Sequence, residues 1–492
     1  MSASGLVQRT ALADLRVLEP KAWRDDLRSQ LHDGKRVVTM YGRRQGEHVV
    51  ITSVLQAVDR SLRVTRTTVT AQFGYHELTS EFPALHSFER ELHEQTGVRI
   101  AAHPWLKPIR YEGRAQADMN AYPFYVVEGK EVHEVAVGPI HAGVIEPGSF
   151  RFMCLGEQVH HLEIHLGYQH RGVERLLLTG DPLKKTPLVE TIAGDTSIAH
   201  AWAHSAALES LTDCEVDLEV EVARAVALEL ERIAMHLGGL AGLAADIGFL
   251  QGATTYGRLR TTAINTTMRM CGSRFGRGAL RPGGVTMNVG PEFAAELRAN
   301  LELLRHDLAI IDDCFVSALT VQHRLRGVGV VTRARAASLG LVGMAARASG
   351  VPIDAREGMK GGAYAELPLT VPIAAATDGD CWSRAHLRIV EIGASLAWVT
   401  AMIAKFPEWN RPRKTPGPVQ ANQLVVSVIE GWRGEVVHCL ETGEAAELVH
   451  YKVQDPSLRN WMGLAMAVRE NEISDFPICN KSFDLSYCGN DL

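Results

Sequence analysis

The chain has 492 residues, of which 46% are hydrophobic and 22% are charged, and its formal net charge is −6. This length exceeds one ordinary hydrophobic core and predicts two or three domains, while the mild negative charge argues against a nucleic-acid-binding surface. The early residues are charged and lack an apolar core segment, so we expect no secretory signal. No uncharged apolar run reaches the roughly 18–20 residues that span a bilayer.

The first quarter of the chain predicts a small α+β domain. Residues 35–70 alternate between apolar and polar side chains in three runs, which is typical of strands, and residues 87–100 have the spacing of a helix. The polar, irregular residues 111–131 are interpreted as a linker. We therefore expect one domain over residues 1–125 and a second over residues 126–492.

The second domain is predicted to be a large, mostly helical bundle with β hairpins at its edges, so that the whole chain has an α+β fold. Residues 149–167 read as a hairpin that turns at Gly156 and Glu157. Three long helical patterns follow, and the tail returns to strand-like alternation. The helical patterns cover residues 218–237, 291–327 and 383–406.

Candidate polar residues occur in two loop-rich stretches. His141 and Glu146 lie in "GPIHAGVIEPGSFRF", and Asp195, His200 and His204 lie in "ETIAGDTSIAHAWAH". His200 and His204 share one helix face, but H-E-x-x-H is absent, so a zinc hydrolase is not expected. Two buried, hydrogen-bonded histidines are the alternative. The eight cysteines contain no C-x-x-C pair, which fits scattered thiols in a cytosolic chain.

An ordered series of motifs resembles one known family. The series GP-x-H, EPG-x-F-R-F, HRG-x-E, ELERI-x-x-H, RPGGV and EGWRGE is similar to the large subunit of membrane-bound group 4 nickel–iron hydrogenases. It is equally similar to the 49-kDa-type subunit of respiratory complex I. The segments "SFERELHEQTGV" and "HPWLKPIRY" resemble the 30-kDa-type subunit, and this fusion is similar to the large subunits of hydrogenase-4 and formate hydrogenlyase.

The resemblance implies a metal site whose ligands this chain has lost. In the hydrogenases two C-x-x-C pairs supply four thiolates to nickel, because a soft donor suits that metal. The early pair corresponds to Ala193 and Thr196, and where the late pair would stand the chain keeps Cys488 alone, with Ser486 close by. We therefore expect no nickel–iron centre. A working hydrogenase with unusual ligands remains the opposing hypothesis.

The resemblance also implies a quinone site, which this chain matches only partly. His141 matches the first histidine of the H-P-x-x-H loop of complex I, but Ile145 stands at the second, and residues 186–210 contain no tyrosine. Quinone therefore remains possible. Glu146 follows the hydrogenase pattern, in which the equivalent carboxylate is associated with proton movement.

By the same resemblance, Arg171 and His236 match residues that lie beside the terminal 4Fe–4S cluster of an adjacent small subunit. A structural ion pair or a hydrogen-bonded core histidine is the alternative for both. The implied protein is a component of a complex-I-like or hydrogenase-4-like assembly, peripheral on the cytoplasmic inner face of the cell membrane. Its partners would be an iron–sulfur small subunit and antiporter-like, proton-pumping membrane subunits, with no nucleic acid.

Three further expectations complete this hypothesis. His141, Glu146, Asp195, His200 and His204 would form a polar lining that carries protons. The alternatives are a non-catalytic scaffold with a filled cavity and a quinone-reducing subunit of the NADH dehydrogenase type. The chain has no G-x-G-x-x-G motif after a strand and no P-loop, so NAD chemistry would belong to another subunit.

Overall fold

The structure is a computed structural model that describes residues 6–112, 119, 121–143, 145–287, 289–357, 359, 361–370, 377–409 and 411–492. The N-terminal part contains, in chain order, β1 (Leu6–Ala11), β2 (Arg16–Val17), α1 (Pro20–His32), β3 (Arg36–Gln45), β4 (His48–Gln56), β5 (Leu62–Thr70), β6 (Tyr75–His76), α2 (His86–Thr96) and β7 (Ile100–Ala101).

The N-terminal part is a four-stranded sheet, in the order β2-β5-β4-β3, with α1 and α2 packed against it. Trp23 and Leu27 from α1 and Phe88 and Leu92 from α2 are fully buried between the helices and the sheet. The predicted helix over 87–100 ends earlier than expected, because Gly97 adopts a left-handed conformation (φ +70°) that terminates it.

The larger part begins with a three-stranded sheet and continues as a helical bundle followed by a second sheet. Its elements are β8 (Val132–Val137), β9 (Ser149–Leu155), β10 (Gln158–His165), α3 (Val173–Leu177), α4 (Thr186–Val189), α5 (Ser197–Leu211), α6 (Leu218–Asp246), α7 (Leu250–Cys271), β11 (Leu280–Arg281), β12 (Gly284–Val285), α8 (Pro291–Ser317), α9 (Leu319–Leu325), α10 (Arg333–Ser338), α11 (Gly343–Ala348), α12 (Ala363–Glu366), α13 (Cys381–Lys405), β13 (Gln423–Glu430), β14 (Glu435–Thr442), β15 (Leu448–Gln454), α14 (Ser457–Ala467), α15 (Phe476–Phe483) and α16 (Tyr487–Asp491).

Helix α6 is the centre of the bundle. It packs against α7, α13 and α15, and nearly all of its side chains between Val220 and Leu240 are buried. Within the described residues α13 is the one helix long and apolar enough to cross a membrane, and a little over half of that stretch is buried inside the protein. It packs against α6 and α8 as a core helix. The predicted helix over 291–327 is two helices, which separate at Ala318, where the backbone is extended (ψ 113°).

These elements confirm the α+β fold and the hairpin at residues 149–167, to which β8 adds a third strand. The division at residue 125 stays a prediction. Strand β1 crosses this boundary. It lies within residues 1–125, but it pairs with β13 and completes the sheet β1-β13-β14-β15 of the larger part.

The two parts share an apolar interface with buried ion pairs at its edges. Val38 and Val54 of the first sheet contact Val428 and Val437 of the last sheet in one buried cluster. Arg36 donates to the fully buried carboxylate of Glu435, and Arg66 likewise pairs with Glu441. The first sheet therefore supports β13 and β14, whose connecting turn forms part of the candidate site.

Candidate functional site

Four segments that are far apart in the sequence meet at one place. They are the loop 138–148 before β9, the loop 190–196 before α5, the turn 431–434 between β13 and β14, and residues 486–492 around α16. Hydrogen bonds between side chains and backbone atoms join these segments, as the next paragraphs describe. The predicted nickel-ligand positions lie in two of these segments, the loop 190–196 and residues 486–492.

Arg433 joins the turn to the loop before α5. Its guanidinium donates to both carboxylate oxygens of Asp195, at 2.7 Å each, and to Oγ1 of Thr196 at 3.2 Å. The neighbouring Trp432 donates from Nε1 to the backbone oxygen of Asp195 and lies under the guanidinium at 3.9 Å. This two-point charge-assisted contact fixes the orientation of Asp195, so that its carboxylate is held by the protein's own cation.

The four positions that correspond to the nickel ligands carry chemistry unsuited to that metal. Ala193 presents a buried methyl group, and the hydroxyl of Thr196 is already hydrogen-bonded to Arg433. Ser486 uses its Oγ as a helix cap, accepting from the backbone N–H of Gly489 at 2.9 Å. Among the described residues, no group of three or more His, Cys, Asp and Glu side chains could hold a metal ion.

Cys488 is the remaining sulfur at these positions. Burial, followed by the nearby carboxylates of Glu146 and Asp195, raises the pKa of its thiol to about 12. Even as a thiolate, Cys488 would supply one sulfur donor, whereas the nickel site of the hydrogenases requires four. Together with the methyl and hydroxyl groups at the other three positions, this shows that the residues present do not fit a nickel–iron centre.

Arg171 lies at the surface and ties two of the segments together. Its guanidinium donates to the backbone oxygens of Thr191 (2.7 Å), Ile192 (3.0 Å) and Cys488 (3.2 Å). These contacts are structural within this chain. They leave the exposed side of the guanidinium on the face where the resemblance places a partner's cluster, and that role stays a prediction.

Residues 487–492 are buried, apart from Cys488, which is partly buried. The carboxylate of Asp491 accepts from the backbone N–H groups of Gly167 and Gln169, both at 2.9 Å. The backbone oxygen of Leu492 accepts from the N–H groups of Arg171 and Gly172, and its side chain is 1% exposed. The HRG motif therefore serves to bind this segment, which carries the former ligand positions.

The loop of His141 and Glu146 covers the same place from the other side. Glu146 accepts from the backbone N–H of Cys488 at 3.3 Å, and His141 lies with Nε2 2.9 Å from the backbone oxygen of Gly148. Cys488 thus stands between the carboxylates of Glu146 and Asp195, which are not in direct contact. Ile145, in the same loop, is 53% exposed.

His200 and His204 are fully buried on α5 and have different partners. His200 lies 3.2 Å from Asp455 and 3.1 Å from His438, whereas His204 lies 2.8 Å from the hydroxyl of Tyr451. They are therefore hydrogen-bonded core histidines, as the alternative reading of the sequence predicted, and not a shared metal site.

His236 is buried in the middle of α6. Its Nε2 lies 2.9 Å from Glu391, and its ring contacts Trp432 edge-on at 5.9 Å between centroids. Burial lowers its pKa to about 4 in spite of Glu391, so the ring is neutral at pH 7. The structure connects it to the site through Trp432, and its proposed place beside a partner's cluster stays a prediction.

Sequence reasoning did not single out Arg433 or Glu231, although both lie in motifs that carried the resemblance, EGWRGE and ELERI-x-x-H. Glu231 accepts from the backbone N–H of Ile198 at 2.8 Å, while its second oxygen is buried without a hydrogen-bond partner. Burial and the charge of Asp195 raise its pKa to about 8. A buried, protonated carboxyl group therefore borders the site. The amino-acid sequence alone did not indicate this group.

Comparisons with known proteins agree with this arrangement. Residues 246–423 match the family model described as the 49-kDa subunit of respiratory-chain NADH dehydrogenase. The chain is 27% identical to hydrogenase-4 component G of Escherichia coli, covering 79% of this chain and 67% of that protein. It is 30% identical to NADH-quinone oxidoreductase subunit 4 of Thermus thermophilus, covering 65% of this chain and 75% of that protein.

The fold has a counterpart among solved structures. A chain of the membrane-bound sulfane sulfur reductase, an archaeal respiratory membrane complex, superposes with a TM-score of 0.69 at 22% identity, covering 75% of this chain and all of that one. Together with the sequence matches, these findings show that the chain belongs to the family that unites the 49-kDa-type subunits of complex I with the large subunits of group 4 membrane-bound hydrogenases.

Proposed function

We propose that this chain is the large-subunit component of a membrane-associated, complex-I-like oxidoreductase that couples electron transfer to proton movement without a nickel–iron centre. It packs on an iron–sulfur small subunit that carries a 4Fe–4S cluster and attaches to antiporter-like membrane subunits. It lies peripherally on the cytoplasmic face of the cell membrane. The catalytic chemistry at the former metal site is replaced by protonatable side chains.

The observation that carries this proposal is the replacement of the metal ligands by a closed polar cluster. Arg433 holds Asp195 where a ligand loop would present thiolates, and the sulfur of Cys488 stays protonated between Asp195 and Glu146. Glu146 and Asp195 supply carboxylate groups, and the buried Glu231 supplies a protonated carboxyl group. Burial raises the pKa of Glu231 to about 8, so this group can hold and release a proton near neutral pH.

Two features support a partner on this face. Arg171 is exposed, and in the adjacent loop Ile140 and Ile145 are 81% and 53% exposed. Apolar side chains so exposed beside a buried polar cluster are typical of a surface that another subunit covers. The non-catalytic scaffold remains the second candidate, since Trp202 of α5 is buried and fills part of the core. A quinone-reducing role is the third, with His141 as its matching residue.

Metal analysis of the purified intact complex tests the first part of the proposal. We expect no stoichiometric nickel, because Cys488 supplies a single sulfur and Ala193, Thr196 and Ser486 supply none. Cys488→Ser is expected to leave the metal content and the electron-transfer rate unchanged. Bound nickel together with hydrogen uptake would show instead a working hydrogenase.

A redox titration of the adjacent cluster tests the coupling role of His236. In the wild-type complex we expect the midpoint potential to depend on pH, because an electron on a nearby cluster favours a proton on a neutral histidine. His236→Ala should reduce that dependence, while His306→Ala, at an exposed position on α8, should leave it unchanged. If the two variants behave alike, His236 is a structural partner of Glu391 only.

A further inference from the structure

Beneath the site, five buried side chains form one continuous hydrogen-bonded row. In order they are His204, Tyr451, His438, His200 and Asp455, and each is at most 1% exposed. The distances from Tyr451 to the two histidines beside it are 2.8 and 2.9 Å, the two central histidines are 3.1 Å apart, and the last contact is 3.2 Å. The row joins α5 to β14 and β15.

The charge state of the row follows from its burial. Burial and the charge of Arg281 lower the pKa of His204 to about 3, and burial with His200 keeps the pKa of His438 well below its ordinary value. Burial raises the pKa of Tyr451 well above 10. Burial acts to raise the pKa of Asp455, but His200 and other neighbours lower it overall. Asp455 is therefore the ionised end of the row.

With one proton on each histidine ring, an ionised Asp455 fixes the direction of every hydrogen bond. A carboxylate only accepts, so His200 donates to it from Nε2, and its Nδ1 has to accept from Nε2 of His438. Nδ1 of His438 then accepts from the hydroxyl of Tyr451, whose oxygen accepts from Nδ1 of His204. Nε2 of His204 is left as a buried acceptor with no partner. All four bonds point the same way.

We propose that this row is a proton path that leads from His204 to Asp455 beneath the former metal site. This inference rests on the proposed function and names the side chains that carry the proton. Tyr451, His438 and Asp455 are new members, whereas His200 and His204 were expected to line a proton-carrying cavity.

The end at Asp455 reaches the residues that replaced the metal ligands. Its carboxylate packs against Gly489, where a side chain would begin 2.6 Å from Cγ of Asp455, so only glycine permits this contact. Gly489 also donates to Ser486, and Cys488 lies between them. The path therefore delivers its proton next to the site.

The proton balance of one passage is simple. When a proton is delivered to Nε2 of His204, the four bridging protons each move to the next acceptor, and Asp455 becomes a neutral acid. No bond between heavy atoms changes, and no electron is needed. Every hydrogen bond then points backwards, so a second proton enters only after the row has returned to its first state.

Histidine tautomers give a direct readout of the direction. In the purified chain labelled with ¹⁵N-histidine, NMR should show His204 protonated at Nδ1, and His438 and His200 protonated at Nε2. Tyr451→Phe should remove the preference of His204 for one tautomer and should leave the tautomers of His438 and His200 unchanged. Tyr256→Phe removes another buried hydroxyl, which donates to Asp312, and should change none of the three. A His438 ring protonated at Nδ1 would overturn the proposal.

Proton movement in the intact complex tests the path itself. Tyr451→Phe should lower the rate of proton movement by roughly 10²-fold, the lower end of what a positioned proton carrier contributes to a rate, and Tyr256→Phe should match the wild type. Normal proton movement in Tyr451→Phe would reject the path alone. A wild-type complex that transfers electrons but moves no protons would reject the proposed function and the path with it.

Discussion

Arg347→Met is expected to lower the free energy of unfolding by about 3–5 kcal/mol, because it removes the cation from a buried cluster of acids. The guanidinium of Arg347 lies within 3 Å of Glu391, Glu430 and Asp354. All four side chains are at most 1% exposed at their charged ends. Methionine fills a similar volume, but it removes the positive charge that compensates the negative charges of the three acids.

The control for this prediction is the same change at the surface. Arg258 pairs with Asp307 at 2.7 Å but is 58% exposed, so Arg258→Met should cost about 0–1 kcal/mol. Arg347→Lys should lie between the two, since one ammonium group cannot bridge three carboxylates as a planar guanidinium does. Urea unfolding of the three variants decides the order. Equal costs for Arg347→Met and Arg258→Met would mean that the cluster contributes nothing to stability.

This cluster also shows why His236 was difficult to interpret from the sequence. His236 shares Glu391 with Arg347, so one carboxylate serves both the structural network and the residue assigned to redox coupling. The apolar stripe of α6 predicted a buried helix correctly. The stripe did not predict that Glu229 and Arg232, on the other faces of α6, are also buried. Their partners Arg356 and Glu430 come from distant segments, so a local pattern cannot indicate these contacts.

Local pattern was sufficient for most of the fold. Period-two alternation placed β3, β4 and β5, the turn at Gly156 placed the hairpin, and Pro291 marked the start of α8, because each signal depends on a few neighbouring residues. The pairing of β1 with β13 was beyond such reasoning, since it joins residues more than 400 positions apart.

The candidate site was predicted in part for the same reason. Motif order predicted one site for Asp195, Glu146 and Cys488, and the structure brings the three together. The sequence suggested nothing of the contact between Arg433 and Asp195, which requires the turn after β13 to meet the loop before α5. Nor did the letters show that His200 and His204, four residues apart, would point to separate partners.

The largest pH effect is expected at Glu231, which the sequence did not single out. Burial and Asp195 raise the pKa of this carboxyl group from an ordinary 4.5 to about 8 in the folded protein. Between these two values the folded chain holds a proton there that the unfolded chain has lost. The stability contributed by this group is therefore complete below pH 4.5 and is lost as the pH rises through 8.

Glu231→Gln replaces the protonated acid with a neutral side chain of the same shape, so the variant lacks this proton uptake. From pH 5 to 8 the difference in unfolding free energy should shift in favour of the variant by about 1.4 kcal/mol per pH unit, and it should level off above pH 8. Glu302→Gln, at an exposed pair with Arg305, should give a curve parallel to the wild type across this range. Parallel curves for Glu231→Gln as well would show that the Glu231 carboxylate is ionised in the folded protein. In that case the site would hold two adjacent negative charges, on Glu231 and Asp195, with Arg433 as the cation that compensates for both.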